Sequence, residues 1–304
     1  MSSPDSVLVL GAGELGSQII RSLATHPKRR STRIAVLLRP SSITALLSGK
    51  RKDLDELKAL DIDFVPGEVP SSSIEELAAT MKPFHTVVGC VGYNSPPGTQ
   101  KHIAEAVLSA GIKRYFPWQF GVDYDFIGAE SSQDLFTEQL GVRNLLRSQD
   151  EVDWVIVSTG MFISFLFEPS FDLVNASRTR VTAIGSWGNH ITVTSPEDIG
   201  KITAELVLAC PEVKGIVYTA GDTVSMQRLA DIVDKVTGKP VERRLKDVSQ
   251  LEAELTQDPN NAVKKYRVVF GEGKGVSWAK AGSFNVERGI ATQNVEEWAQ
   301  QNIL

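Results

Sequence analysis

The sequence predicts an α/β fold, a doubly wound parallel sheet followed by a smaller C-terminal lobe. Three observations predict it. An apolar run near the start of the chain breaks off at a glycine turn and gives way to helical spacing. Strand-like apolar runs then alternate with helical patterns, and beyond residue 160 that alternation loosens. The 304 residues are 42% hydrophobic and 23% charged, with 24 Gly and 14 Pro, which is the balance of a packed globular chain and excludes collagen, coiled-coil and disordered readings. At a prior of ~150 residues per domain the length suits two bodies or one large one.

The first element is the run Val7-Leu8-Val9-Leu10, after which Ile19, Ile20 and Leu23 recur at helical spacing. Between them stands Gly11-Ala12-Gly13-Glu14-Leu15-Gly16, a full G-x-G-x-x-G between strand and helix, the arrangement of a Rossmann dinucleotide site. Gly11 permits the tight turn, Gly13 lets the backbone approach a pyrophosphate, and Gly16 lets the helix lie close to the strand. The helix N-terminus offers free N–H groups to phosphate. The second strand, Ile34 to Leu38, ends at Arg39-Pro40-Ser41-Ser42, where NAD sites usually carry an acid for the ribose 2′-hydroxyl. Arg39, assisted by Ser41 and Lys50, instead suits a 2′-phosphate, so the expected cofactor is NADP.

Further strands are expected at 63–65, 86–90, 114–117 and 154–158, with helices at 74–81, 99–110 and 132–148 between them. This rhythm implies a parallel sheet covered on both faces, with ligands at the carboxyl ends of its strands. Strands near 181–184, 190–194 and 216–219 and helices near 196–209 and 226–237 follow. The expected organisation is an NADP-binding Rossmann domain over 1–160 and a substrate-binding lobe over 161–304, interleaved with the end of the sheet. A second glycine cluster, Gly271 to Gly275, follows the run Val268-Val269-Phe270 and reads as a mobile loop over the substrate site, Val276 standing where a third motif glycine would be.

The formal net charge of −5 gives no positive field for nucleic acid. The longest apolar stretch, Trp154 to Phe167, is 14 residues with polar interruptions, short of the ~20 that span a bilayer. No secretory pattern is visible in Met1 to Ser6, so a cytoplasmic location is the default expectation. Cys90 and Cys210 read as buried thiols, and His26, His85, His102 and His190 lack metal-ligand spacing, so no metal is expected. There is no G-x-S-x-G, and none of the five tyrosines has Lys four residues on, which removes the usual hydrolase elbow and the usual dehydrogenase Tyr-Lys pair.

Taken together, Gly11 to Gly16, Arg39, Gln100, the segment Lys113-Arg114-Tyr115-Phe116-Pro117-Trp118-Gln119-Phe120-Gly121, Ser158-Thr159-Gly160-Met161-Phe162 and Pro196-Glu197-Asp198-Ile199-Gly200 resemble the NmrA-like, isoflavone-reductase-like branch of atypical short-chain dehydrogenases, fungal aromatic alcohol reductases in particular. The resemblance runs over nearly the whole chain. It implies cofactor contacts from Gly11, Gly13, Glu14, Leu15, Gly16, Arg39, Ser41, Gly92, Gln119, Thr159, Gly160, Met161 and Phe162, and a small apolar or aromatic substrate for a monomer or homodimer. Plant members carry K-R-F-x-P-S-E-F-G, where this chain has Trp118-Gln119 for Ser-Glu. They also carry F-x-x-K-x-x-x-R, whose lysine is their proposed acid/base. On Phe136 to Arg143 that lysine position falls on Gln139, which hydrogen-bonds but does not titrate.

Three readings stay open. One is an NADPH-dependent reductase active in secondary metabolism, taking its proton from Asp123, Tyr124, His190 or water. Another is a non-redox cyclase of the Pictet-Spengler type that keeps NADP as scaffold, with Asp123 or Asp125 as acid. The third is an NADP-sensing regulator, against which stands the apolar stretch Met161 to Phe167, where a nicotinamide and an apolar substrate would meet.

Overall fold

A computed structural model of the chain describes residues 6–48, 52–92 and 95–303. Strands β1 (Ser6–Leu10), β2 (Arg33–Leu38), β3 (Asp63–Pro66), β4 (Thr86–Gly89), β5 (Arg114–Phe116) and β6 (Asp153–Ser158) come first. Among them lie helices α1 (Glu14–Thr25), α2 (Pro40–Leu47), α3 (Ile74–Met81), α4 (Thr99–Ala110), α5 (Tyr124–Ile127) and α6 (Asp134–Arg147). The later strands are β7 (Met161–Phe162), β8 (Arg180–Ile184), β9 (His190–Thr194), β10 (Gly215–Tyr218), β11 (Asp222–Ser225) and β12 (Glu242–Lys246). The later helices are α7 (Pro196–Ala209), α8 (Met226–Thr237), α9 (Val248–Gln257), α10 (Ala262–Glu272), α11 (Phe284–Glu287) and α12 (Val295–Asn302).

The chain divides into two units. One holds the residues up to Gln119 together with Glu138–Val157 and Ile199–Val217; the other holds Phe120–Thr137, Ser158–Asp198 and the chain from Tyr218 onward.

In the first unit the strands form one sheet in the order β10-β6-β5-β4-β1-β2-β3. The pairs from β3 through to β6 are parallel, which is the Rossmann strand order. All five residues of β1 are buried, because a central parallel strand is covered on both faces and so reads as an unbroken apolar run. Leu8 and Leu10 pack with Ala35, Val87, Ile103 and Val107 in one core cluster. Strand β10 runs parallel to β6: Lys214 meets Asp153 at their starts, and the Thr219 N–H reaches the Ser158 carbonyl at their ends.

Arg114, only 4% exposed, anchors the end of α7. Its guanidinium donates to the carbonyls of Leu206 (2.9 Å), Cys210 (3.0 Å) and Val213 (2.8 Å). It also lies 4.9 Å from the Phe116 ring centroid. Burial pulls its pKa below the usual arginine range. A cation here meets the negative pole of α7 and satisfies carbonyls that have no intrahelical partner.

The second unit holds a small sheet, β11-β9-β7, and a parallel pair, β8 with β12. Its core is aromatic at the centre, Phe171 contacting Phe270 at 6.1 Å and Phe136 contacting Tyr266 at 5.3 Å. One sequence expectation is corrected here, and one strand lies outside those the sequence predicts. Val268 to Phe270 lies inside α10, and Gly271 belongs to the last turn of that helix, a Cβ there pressing on Leu251. Gly273, at φ +74°, then ends the helix in the left-handed conformation. Five consecutive buried residues, Arg267 to Gly271, hide the helical period that an apolar stripe would show. Strand β12, Glu-Arg-Arg-Leu-Lys, is almost wholly exposed and carries no apolar alternation by which to find it.

Replacing Arg114 by Leu should lower the unfolding free energy by about 2–4 kcal/mol, since three carbonyls lose a charged donor. Urea titration followed by circular dichroism measures this, and a change under about 0.5 kcal/mol, the range of ordinary surface substitutions, would refute the anchoring role.

Candidate functional site

The glycine turn leaves β1 at the carboxyl edge of the sheet. Gly11 has φ +93°, a conformation L side chains rarely adopt, and its N–H donates to the Leu37 carbonyl at 3.1 Å. Gly16 lies so close under the turn that a Cβ would run into the Gly11 carbonyl and stand 3.2 Å from the Cβ of Cys90, a partly buried residue whose thiol pKa is pushed up by burial. Gly13 differs from both. It is exposed, has an ordinary φ of −75°, and a Cβ there would meet nothing within 4 Å among the described residues. Neither conformation nor packing among the described residues requires glycine at this position. Leu15 points into the core and Glu14 is exposed.

Gly13 is the N-cap of α1 and offers no side-chain acceptor, so the first-turn N–H groups face outward without a cap. Arg39 is the N-cap of α2 and likewise makes no side-chain cap, with Pro40 preset at the first helical position. The exposed Arg39 guanidinium pairs with no acidic side chain among the described residues, and Ser41 is exposed in the first turn of α2. Lys50, expected to assist, lies outside the described residues.

Most of the other long helices are closed by the chain itself. Ser73, Ser225, Asp247, Asn261 and Asn294 cap α3, α8, α9, α10 and α12, and the Ser195 hydroxyl accepts the Asp198 N–H in α7. Helix α4, whose N-cap Gly98 has no side chain, is closed by Glu138, which accepts the N–H groups of Gly98 (2.9 Å) and Gln100 (2.8 Å). Sequence reasoning missed Glu138, which stands beside Gln139 and outside every motif.

Gln139 is fully buried. Its Nε2 donates to the Trp118 carbonyl at 2.9 Å, its own carbonyl accepts from Gln119 Nε2 at 2.9 Å, and Gln119 Oε1 accepts from Arg143 Nε at 2.8 Å. Because Trp118 presents a carbonyl, the amide nitrogen must face it. Gln139 Oε1 is buried and unpartnered among the described residues. This network clamps the turn after β5 to α6. The Trp118 ring then lies on Gly92, where any Cβ would collide with the indole, so Gly92 has a packing reason to be glycine. Gln100 ties the same region down by donating to the Val91 carbonyl at 2.8 Å.

The remaining expected residues belong to the second unit. The N–H groups of Thr159 and Gly160 both donate to the Gly121 carbonyl, at 2.9 and 3.0 Å. Gly160 has φ +72° and lies against the Thr192 backbone. Met161 is buried in the core, and Phe162 is half-buried on β7, edge-on to Phe165 at 6.3 Å. Tyr124 is buried, its hydroxyl over Gly121 and its ring edge-on to Phe136 at 5.1 Å. Asp123 caps α5 through Oδ1 and accepts the Tyr218 hydroxyl through Oδ2 at 2.7 Å. Asp125 and His190 are exposed. In the sequence Tyr218 has Asp222 rather than a lysine four residues on, and nothing else there marks it.

Among the described residues no helix is long and apolar enough to cross a membrane, and no three His, Cys, Asp or Glu side chains gather as a metal site would.

The glycines should separate by variant. Gly16→Ala should cost about 2–4 kcal/mol through the main-chain clash, whereas Gly13→Val should stay within about 1 kcal/mol, the worth of a helix cap. Thermal unfolding of both decides it; equal losses would mean that Gly13 is as structural as Gly16.

The sequence profile of the NmrA-like family matches residues 3–299. An NmrA-like family domain-containing oxidoreductase of Gibberella moniliformis is 44% identical over 296 residues, 97% of each chain. A phenylcoumaran benzylic ether reductase of Pyrus communis is 26% identical, over 94% of this chain and 93% of that one. In fold the chain is similar to isoflavone reductase, with a TM-score of 0.79 at 17% identity over 98% of this chain and 99% of that one. It is similar also to leucoanthocyanidin reductase of Vitis vinifera, solved as a binary complex with NADPH, with a TM-score of 0.77 at 19% identity and the same coverage. A profile match that runs from β1 into α12, through both the glycine turn and the Arg114 segment, and a full-length relative at 44% identity make this chain a member of the NmrA-like family.

Proposed function

We propose that this chain is an NADPH-dependent reductase of a bulky apolar or aromatic small molecule. The observation that carries the cofactor is the pair of helix N-termini, α1 and α2, whose N-caps make no side-chain cap, with a Gly13 that packing among the described residues does not require. At α3, α4, α7, α8, α9, α10 and α12 the protein closes the helix start with its own side chains, so α1 and α2 are suited to an external anion. In this reading the first-turn N–H groups of α1 hold the pyrophosphate, with Gly13 allowing close approach. The Arg39 guanidinium pairs with the 2′-phosphate, and Ser41 adds a donor from α2. Gly92, Gln119, Thr159, Gly160, Met161 and Phe162 complete the proposed contact set.

The relatives' names support the chemistry: the Gibberella protein is named an oxidoreductase and the Pyrus protein a reductase. When bound, NADPH supplies a hydride. Gln139 is neutral and enclosed, so its role in this reading is to hold the Trp118 carbonyl rather than to transfer a proton. Both Asp123 oxygens act as acceptors, so in this reading the proton comes from Tyr124, His190 or water. A second reading, a non-redox cyclase that keeps NADP as scaffold, draws on the same Gln139, since an amide at the family's lysine position removes a titrating group that a reductase would use.

Calorimetric titration should find NADP binding more tightly than NAD. Arg39→Ala should cost NADP ~2 kcal/mol or more, roughly thirtyfold, and Gly13→Val should abolish binding while the protein stays folded. Equal affinity of the wild type for the two cofactors would refute the assignment. With aromatic aldehydes or enones, NADPH absorbance should fall in step with product; product formed without that fall would favour the cyclase.

A further inference from the structure

At the amino-terminal edge of the first unit's sheet, residues 29–34 form a cleft of about 360 Å³ with Asp61 and Asp63. Arg33 opens β2, and Arg39 follows that strand's other end. At ~3.3 Å per residue the two arginines stand about 20 Å apart, so the cleft is remote from the glycine turn. Its three arginines are held in different ways. Arg29 builds the wall, its guanidinium donating to the carbonyls of Ala24 (3.3 Å), Leu60 (3.1 Å) and Asp61 (2.5 Å). Arg33 is fixed on two sides. Its Nε donates to Asp63 Oδ2 at 2.6 Å, and its guanidinium carbon lies 5.0 Å from the centroid of the buried Phe84 ring, which leaves both terminal nitrogens as donors. Arg30 is exposed, at φ +48°, and pairs with no acidic side chain among the described residues. The hydroxyls of Ser31 and Thr32 have no hydrogen-bond partner among the described residues either.

Three guanidinium groups thus meet two carboxylates. Asp63 is taken by Arg33 at 2.6 Å, while the Asp61 carboxylate is wholly exposed and reaches only Arg29, at 3.5 Å. The surplus is both of charge and of donors: the Arg30 guanidinium, the terminal nitrogens of Arg33 and two hydroxyls. A planar carboxylate is satisfied by one guanidinium, whereas donors from several residues around one cleft suit a group with more acceptor oxygens and a double negative charge. We propose that this cleft binds a phosphate group, free or carried on a small organic ester, at a site separate from the glycine turn. Its volume lies at the small end of the ~300–1,000 Å³ of ligand sites, enough for an ester of a few carbons. The inference goes beyond the reductase reading and does not rest on it.

The test titrates inorganic phosphate and glycerol 3-phosphate separately, at constant ionic strength, into the isotope-labelled full chain in the presence of NADP, with backbone amides followed by NMR. The amides of Arg30 to Arg33 should shift saturably with at least one of the two probes. Arg30→Gly suits a positive φ and removes the guanidinium, so it should weaken binding at these amides about tenfold or more. Arg39→Ala, at the far end of β2, should leave that affinity within about twofold. Tighter binding of the ester assigns the cleft to an organic phosphate; phosphate binding at least as tightly assigns it to the free ion. No saturable shift at Arg30 to Arg33 with either probe, or an affinity in Arg30→Gly within about twofold of the wild type, would overturn the proposal. The remaining amides report whether the variant is folded, and phosphate held at the glycine turn registers at Gly11 to Gly16, so failure of the cofactor reading is seen apart from failure of this one.

Discussion

The close seat of α1 against the end of β1 is the constraint on which the rest of the first unit's carboxyl edge depends. With a Cβ on Gly16 running into the Gly11 carbonyl, the helix approaches the strand as nearly as backbone allows. Its N-terminus is thereby held over the same edge at which β2 delivers Arg39 and β4 delivers Gly92. Parallel pairing enforces the alignment, since Leu10 stands in register with both Leu37 and Gly89. A parallel sheet cannot release one strand end without shifting the others.

Helix termini carry a cost that must be met somewhere, because their first N–H groups lack partners within the helix. This chain meets it in an uneven way. It provides hydroxyls, amides and carboxylates at most helix starts, including a carboxylate brought from α6 to α4, and withholds them at α1 and α2. The buried Gln119, Gln139 and Arg143 network shows the same investment one layer deeper, where polar side chains fix the shape of the turn after β5. Buried polar groups of this kind specify a single arrangement more than they add stability.

Much of the fold was legible because its signals are local. Val7 to Leu10, the glycine turn and the helices at 74–81, 99–110, 196–209 and 226–237 carry their period and their breaks in the sequence. Arg39 was legible for the same reason, standing directly at a strand end. What escaped depends on partners distant in the chain. Asp123 and Tyr218 are 95 residues apart and Glu138 closes a helix 38 residues upstream, and neither pairing leaves a mark on spacing. The run at Val268 misled because helix and strand look alike where every side is buried. Gln139 was legible as a departure from the family pattern, yet its complete burial and its bond to the Trp118 carbonyl follow only from how α6 packs.

The Glu138 carboxylate, brought from α6 to the start of α4, has an electrostatic consequence. Three helices of the first unit, α1, α2 and α4, follow strands β1, β2 and β4 in the chain, and each carries a partial positive pole. One of the three is cancelled from within by a formal negative charge 2.8–2.9 Å from its N–H groups. For an arriving polyanion the edge is therefore not uniformly attractive. Its field is concentrated over the glycine turn and Arg39 and weakened over α4, so that diffusional encounter is biased in orientation before any contact forms, and the bias fades as salt is raised.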